Sequence, residues 1–198
     1  TSTSLSSLPI FLNSTTVSAW ANQGSAGGSF TQATGSAQPL FVASNINGKP
    51  GLRGDGSNDA LVYSGAASTL ITATDGAFYF AVRPISIIRD NAAAYQNDSV
   101  FGVGDANFGM SLRSSTVAMR GFNGAGIDTT GNVSVVVGTP IVLGWRHTGG
   151  VLSVFGNNGT PVTVASGNTI RTAAPRLFQS YTGSATFANI DLCEVVGV

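Results

Sequence analysis

A chain of 198 residues, with nine basic and nine acidic side chains, is long enough to bury one sizeable core and shows no electrostatic footprint for an anionic polymer. Its single Lys (Lys49), single Glu (Glu194) and 26 Gly exclude a helical architecture, because the straight polar side chains that dress exposed helix faces are missing. No basic stripe suits nucleic acid, no apolar run approaches the ~18 residues of a membrane helix, and 42% hydrophobic content excludes disorder.

The chain opens on Thr1-Ser2-Thr3-Ser4-Leu5-Ser6-Ser7, which is polar, uncharged and unlike a signal peptide. It reads as a short arm (about 1–7), followed by Leu8-Pro9-Ile10-Phe11-Leu12, apolar enough to add a strand at a sheet edge. Trp20 is expected in the core. Asp55-Gly56 and Asn58-Asp59 are ordinary turn formers. Phe78, Phe80 and Val82 share one face of a strand that Arg83-Pro84 should close. Asn123-Gly124 marks a further turn.

Ile141, Leu143 and Trp145 share a face, with Trp145 expected in the core. Thr148-Gly149-Gly150 then joins that run to Val151–Phe155, a hairpin signal. Asn157-Asn158-Gly159 turns the chain into Val162-Thr163-Val164. In the last run a strict period of two puts Ile190, Leu192, Glu194 and Val196 on one face. Glu194 is therefore expected to be partly buried, locking the strand to its neighbour through an Arg or backbone donors. Roughly a dozen short strands without linker or repeat predict one domain over 1–198, an all-β, two-sheet antiparallel sandwich or jelly roll.

Candidate chemistry is sparse. A retaining glycosidase needs two carboxylates ~5–5.5 Å apart, whereas Asp191 and Glu194, three residues apart, point to opposite faces of a regular strand. His147 has no Gly-x-Ser-x-Gly partner motif and reads as a surface or turn residue. Cys193 cannot form an internal disulfide and reads as a small buried hydrophobe. One His and one Cys cannot make a zinc site. Asp55, Asn58 and Asp59, and Asp90, Asn91, Asn97 and Asp98, are oxygen-rich candidates for Ca²⁺, but turn formation carries more weight. Arg53-Gly54-Asp55 and four Asn-x-Ser/Thr sequons are expected by chance in this composition. For a glycan, Tyr95 with Asn97 and Asp98, and Tyr181 after Gln179, are the loop aromatics beside hydrogen-bonding partners. No catalytic residues are expected.

Several segments in order carry a resemblance: Trp20-Ala-Asn-Gln-Gly24, Asn47-Gly-Lys-Pro50, Leu52-Arg-Gly-Asp-Gly-Ser-Asn-Asp-Ala-Leu61, Phe78–Pro84, the Trp145 strand with its hairpin, and Phe187–Val196. Together they resemble the laminin-G-like branch of the concanavalin A-like lectin/glucanase superfamily. Gly54 departs from it, since an aromatic residue commonly precedes the Asp-Gly pair. The resemblance implies jelly-roll topology and a setting in phage structural or bacterial surface proteins. The expectation is a recognition or assembly module on a virion surface, a head decoration or fibre component. It would pack on other subunits or copies of itself, because permanent interfaces are depleted in charge. The alternative is a stand-alone carbohydrate-binding module of a secreted or cell-surface protein, with glycoside hydrolase the remote one.

Overall fold

The structure, a computed structural model, describes residues 2–4, 15–71, 75–87, 98–103, 109–113, 116–120, 130–157, 159–165, 174–179 and 186–198. For 2–4, 98–99, 103, 113, 116–120, 130–132 and 164 only the backbone is described. Sixteen strands are seen among these residues: β1 (Ser2–Ser4), β2 (Ala19–Ala21), β3 (Ser29–Thr31), β4 (Leu40–Val42), β5 (Gly51–Arg53), β6 (Leu61–Tyr63), β7 (Asp75–Ser86), β8 (Asp98–Val103), β9 (Gly109–Arg113), β10 (Thr116–Arg120), β11 (Thr130–Ser134), β12 (Ile141–Thr148), β13 (Val151–Gly156), β14 (Val162–Ala165), β15 (Pro175–Leu177) and β16 (Asn189–Gly197). Helical geometry among the described residues is limited to three-residue 3-10 turns. The protein is all-β.

Two eight-stranded antiparallel sheets form a sandwich. The first runs β14-β13-β12-β7-β16-β5-β4, with β1 also on β16; the second runs β11-β10-β9-β8-β15-β6-β3-β2. Each sheet contains one meander, β12–β14 and β8–β11, and one consecutive antiparallel pair, β4–β5 and β2–β3, while the other strands are placed by crossings between the sheets. Alternating side chains from both sheets meet in the middle. Phe101 of β8 packs on Phe78 (ring centroids 4.7 Å), Phe80 (5.2 Å) and, edge-on, Trp145 (5.5 Å). Trp20 and Trp145 are fully buried, as expected.

Local chemistry explains the turns. Thr148 pairs with Val151 across Gly149-Gly150, and both glycines have positive φ, the two-residue hairpin geometry that glycine adopts without strain. Gly54 has a packing reason as well: a Cβ there would lie 2.6 Å from the Phe178 ring and 2.7 Å from the Ala188 carbonyl. The ring that stands at this place thus comes from the opposite sheet.

Three expectations are corrected. The strand holding Phe78 does not close at Arg83-Pro84 but continues to Ser86. Pro84 cannot donate to the ladder, and the register of β16 slips beside it, between Asn189 and Ile190. His147 is not a surface residue but 1% exposed, because it follows Leu143 and Trp145 on the inward face of β12. Within the N-terminal arm, Ser2 pairs with Val196 and Ser4 with Glu194 in the chain's own sheet. Glu194 is exposed rather than buried, because β16 carries a bulge at Cys193 that inverts the alternation after Leu192.

Candidate functional site

The outer face of the first sheet follows from the same alternation that fills the core. On β7, Phe78, Phe80 and Val82 point inward, so Tyr79, Ala81 and Arg83 point out. On β13, Leu152 and Val154 are buried, which turns Phe155 outward. Between them lies Gly144 of β12, in register with both Tyr79 and Phe155. A Cβ on Gly144 would fall 2.1 Å from a Phe155 ring carbon. The ring therefore lies over bare backbone, the place a side chain would otherwise fill. Tyr79 meets it edge-on at 5.5 Å, with 62° between the planes. Both aromatics are half-buried and make a corner on the sheet surface, beside the exposed Arg146 and Val142.

Further along this face is a cross-strand row, Arg83 (β7), Asp191 (β16) and Arg53 (β5). The Asp191 side chain is 0% exposed, against 26% for Arg83 and 40% for Arg53. Arg53 donates from Nε to Oδ1 (2.8 Å) and from Nη2 to Oδ2 (3.1 Å). Arg83 donates to Oδ2 from Nε (3.0 Å) and Nη2, and from Nη2 also to Asn45 Oδ1 (3.0 Å). The carboxylate beside it raises the Arg53 pKa through hydrogen bonding, outweighing partial desolvation. A buried carboxylate bracketed by two guanidiniums is well satisfied, and removing it would leave two cations facing each other.

The β16 bulge organises this region. Asp191 and Leu192 pair with β5, and Val195 and its neighbours pair with β1, so the strand changes partner at Cys193. The Cys193 thiol is half-buried beside Gly51, and burial pushes its pKa up. The extra residue also puts Asp191 and Glu194 on the same face, which corrects the expectation that they diverge. Both oxygens of Asp191 are nevertheless engaged by guanidinium N–H groups.

Of the residues singled out by sequence, Tyr95, Asn97, Asp90, Asn91 and Tyr181 lie outside the described residues, as does the side chain of Asp98. Asp55 and Asp59 are brought together. Asp55 Oδ1 accepts backbone N–H groups from Ser57 (2.7 Å) and Asn58 (3.2 Å), and Asp59 Oδ2 accepts the Asp55 N–H (2.9 Å). These carboxylates close a turn with its backbone donors. Among the described residues no group of three or more His, Cys, Asp or Glu gathers to hold a metal ion. Arg53 of the Arg-Gly-Asp tripeptide is committed to Asp191. A cleft of ≈ 300 Å³ is lined by Val133 and Ser134 of β11, Ile141 of β12, Asn157 and Thr160 after β13, and Val162 of β14.

No protein-family model matches the chain, and comparison with curated protein sequences finds no match. Solved structures do match. Domain 4 of AbnA, a GH43 extracellular arabinanase from Geobacillus stearothermophilus solved in complex with arabinotriose, shares 13% identity over 80% of this chain and 74% of its own, with a TM-score of 0.55. The Trypanosoma rangeli sialidase with 2,3-difluorosialic acid aligns over 93% of this chain at 13% identity and a TM-score of 0.63, and the chain spans only 30% of it. The binding domain of Paraclostridial Mosquitocidal Protein 1 aligns over 92% of this chain and 48% of its own, at 10% identity and a TM-score of 0.57. The likeness is one of fold. It is consistent with the concanavalin A-like sandwich that the sequence motifs resemble.

The Tyr79–Phe155 corner is not among the loop aromatics that the sequence offers as glycan ligands. The signal was present in the alternation: Tyr79 is out of phase with Phe78 and Phe80, and Phe155 with Leu152 and Val154. Gly144, isolated inside a strand, was a second sign that something approaches the backbone there.

Proposed function

We propose that this chain is a non-catalytic glycan-binding module that works outside the cell. One observation carries the reading: two partly exposed aromatic rings stand on the outer face of a sheet, Phe155 held over Gly144 and braced by Tyr79. Ring faces are electron-rich and apolar, so they suit the C–H face of a sugar, and little side-chain freedom remains to be lost on binding. The likeness to an arabinanase domain holding arabinotriose and to a toxin's binding domain supports it. Non-catalysis is supported by the engagement of Asp191, the carboxylate nearest Glu194 in sequence.

The test is isothermal titration of the full chain against neutral and acidic oligosaccharides chosen from a glycan array. Phe155→Ala and Tyr79→Ala should each weaken binding roughly tenfold, equivalent to about 1.4 kcal/mol, without altering the far-UV circular dichroism. No binding to any glycan at millimolar concentration would sink the proposal.

The second reading, assembly on a virion or cell surface, is favoured by one patch. Val136 and Val137, in the segment between β11 and β12, are 64% and 51% exposed, and Val142, near the start of β12, is 45% exposed. Such a patch suits a neighbouring subunit. Concentration-dependent oligomerisation that Val137→Asp abolishes would support it, and a strict monomer at high concentration would count against it.

A further inference from the structure

The glycan reading leaves the ligand's chemistry open, and the same face limits it. Arg83 lies four residues beyond Tyr79 on β7, with side chains on the same side, which places them roughly 13 Å apart along the strand. Ala81, Val142 and Val196 occupy the positions around the stretch between, in register with one another or with the platform residues. Together with Glu194, in register with Ala81, they line the stretch between the platform and the arginine row. A single hexose cannot reach from the aromatic corner to the arginine row. A short oligosaccharide can.

The arginine row is unbalanced. Two guanidiniums bracket one carboxylate, so these three side chains together carry a single positive charge, and the only carboxylate that offsets it on this face among the described residues is the exposed Glu194, which forms no ion pair with either arginine. Both arginines grip Asp191 through Nε and Nη2, which turns each Nη1 edge away from it. Both side chains are partly exposed. Asn45, 6% exposed, holds Arg83 in place by accepting a hydrogen bond from its Nη2 through Oδ1. The spare polar hydrogens here are all donors, and a planar fork of N–H groups matches a carboxylate. One group opposes this. Glu194 is exposed on the same face, in register with Ala81, and its charge lies between the platform and the row.

We propose that the ligand of this face is an acidic oligosaccharide, a carboxylated sugar chain of two or more units, with a sugar face on Phe155 and Tyr79 and a carboxylate at the Nη1 edges of Arg83 and Arg53. Glu194 is then a specificity-limiting residue that weakens the site for the most highly charged chains. This rests on the glycan-binding reading of the same surface.

The experiment is titration of the full chain with matched pairs of glycans: oligogalacturonides and sialylated oligosaccharides, each beside its carboxyl-reduced counterpart. The acidic member of at least one pair should bind tenfold or more tightly than its reduced partner. That preference should shrink when salt is raised from 50 to ~500 mM, because exposed charges are then screened. Glu194→Gln, at an exposed site, should increase the preference two- to fivefold. Arg53→Gln should remove it while Arg83 still holds Asp191, provided the melting transition stays cooperative. Should Arg53→Gln fail to fold, the salt titration and Glu194→Gln still decide. Equal binding of acidic and reduced partners, lost in Phe155→Ala, would overturn this inference and leave the glycan-binding reading standing. An absence of binding to either member would overturn both.

Discussion

At the scale of single residues, the two carboxylates of β16 should answer very differently to neutralisation. Asp191→Asn leaves two partly buried guanidiniums without their counter-ion and should cost about 3–5 kcal/mol in chemical denaturation, the range for breaking a buried pair by removing one partner. Glu194→Gln, on the exposed side of the bulge, should change stability by no more than ~0.5 kcal/mol. Equal effects would mean that the bulge at Cys193 is misplaced. A third carboxyl gives a pH signature. Burial, reinforced by the neighbouring Asp55 charge, raises Asp59 from 3.8 to about 6. The folded chain therefore holds this proton more tightly than the unfolded chain does. Its contribution to stability is greatest below pH 3.8, falls as pH rises through 6, and is flat above. Asp59→Asn keeps an acceptor for the Asp55 N–H, so urea midpoints measured from pH 4 to 7 should lose this decline. A decline of unchanged size would assign it to other groups.

At the scale of elements, Gly144 is the position where packing and the proposed site meet. Adding a methyl group must push the Phe155 ring off β12, since the two would lie 2.1 Å apart. Gly144→Ala should lower stability by about 1–3 kcal/mol, as overpacking does, and should weaken glycan binding by displacing the platform. Thermal melts and titration of the same variant check both at once; a variant that melts lower but binds normally would detach the platform from the site. Why the sequence showed β7, β12 and β13 but misjudged β16 has a physical answer. Period-two alternation holds through Phe78–Val82, Ile141–Trp145 and Leu152–Val154 because those strands are regular. In β16 one extra residue, Cys193, shifts everything after it, and a buried-looking Cys carries none of the Gly or Asn chemistry that announces an irregularity. The aromatic corner was legible in principle, but hydrophobic rings inside strands are assigned to the core by habit of composition. The partner of Asp191 was not legible at all: Arg53 stands 138 residues away in sequence, and only the β5–β16 pairing joins them.

At the scale of the whole molecule, composition sufficed for the two-sheet sandwich, because a chain with one Glu and one Lys builds strands. The order of strands depends on pairings between distant segments, which no local pattern encodes. The first sheet joins β1, β5 and β7 to β16, so its centre cannot form until the last strand is present. Refolding after denaturant dilution should accordingly fall in the slow, millisecond-to-second regime of non-local β proteins. A chain lacking residues 189–198 should show no cooperative transition. Microsecond refolding, or a cooperative melt in the truncated chain, would contradict the central role given to β16.

The pairing of β1 with β16 also sets how the molecule would respond to mechanical load. Ser2 lies opposite Val196, and the two strands run antiparallel, so tension applied through the two ends pulls at the same end of the ladder. Its hydrogen bonds would then open one after another, as a zipper does, instead of resisting together in shear. In single-molecule stretching the first event should be the release of β1 at low force, with the arginine-clamped row of β5, β16 and β7 yielding only afterwards.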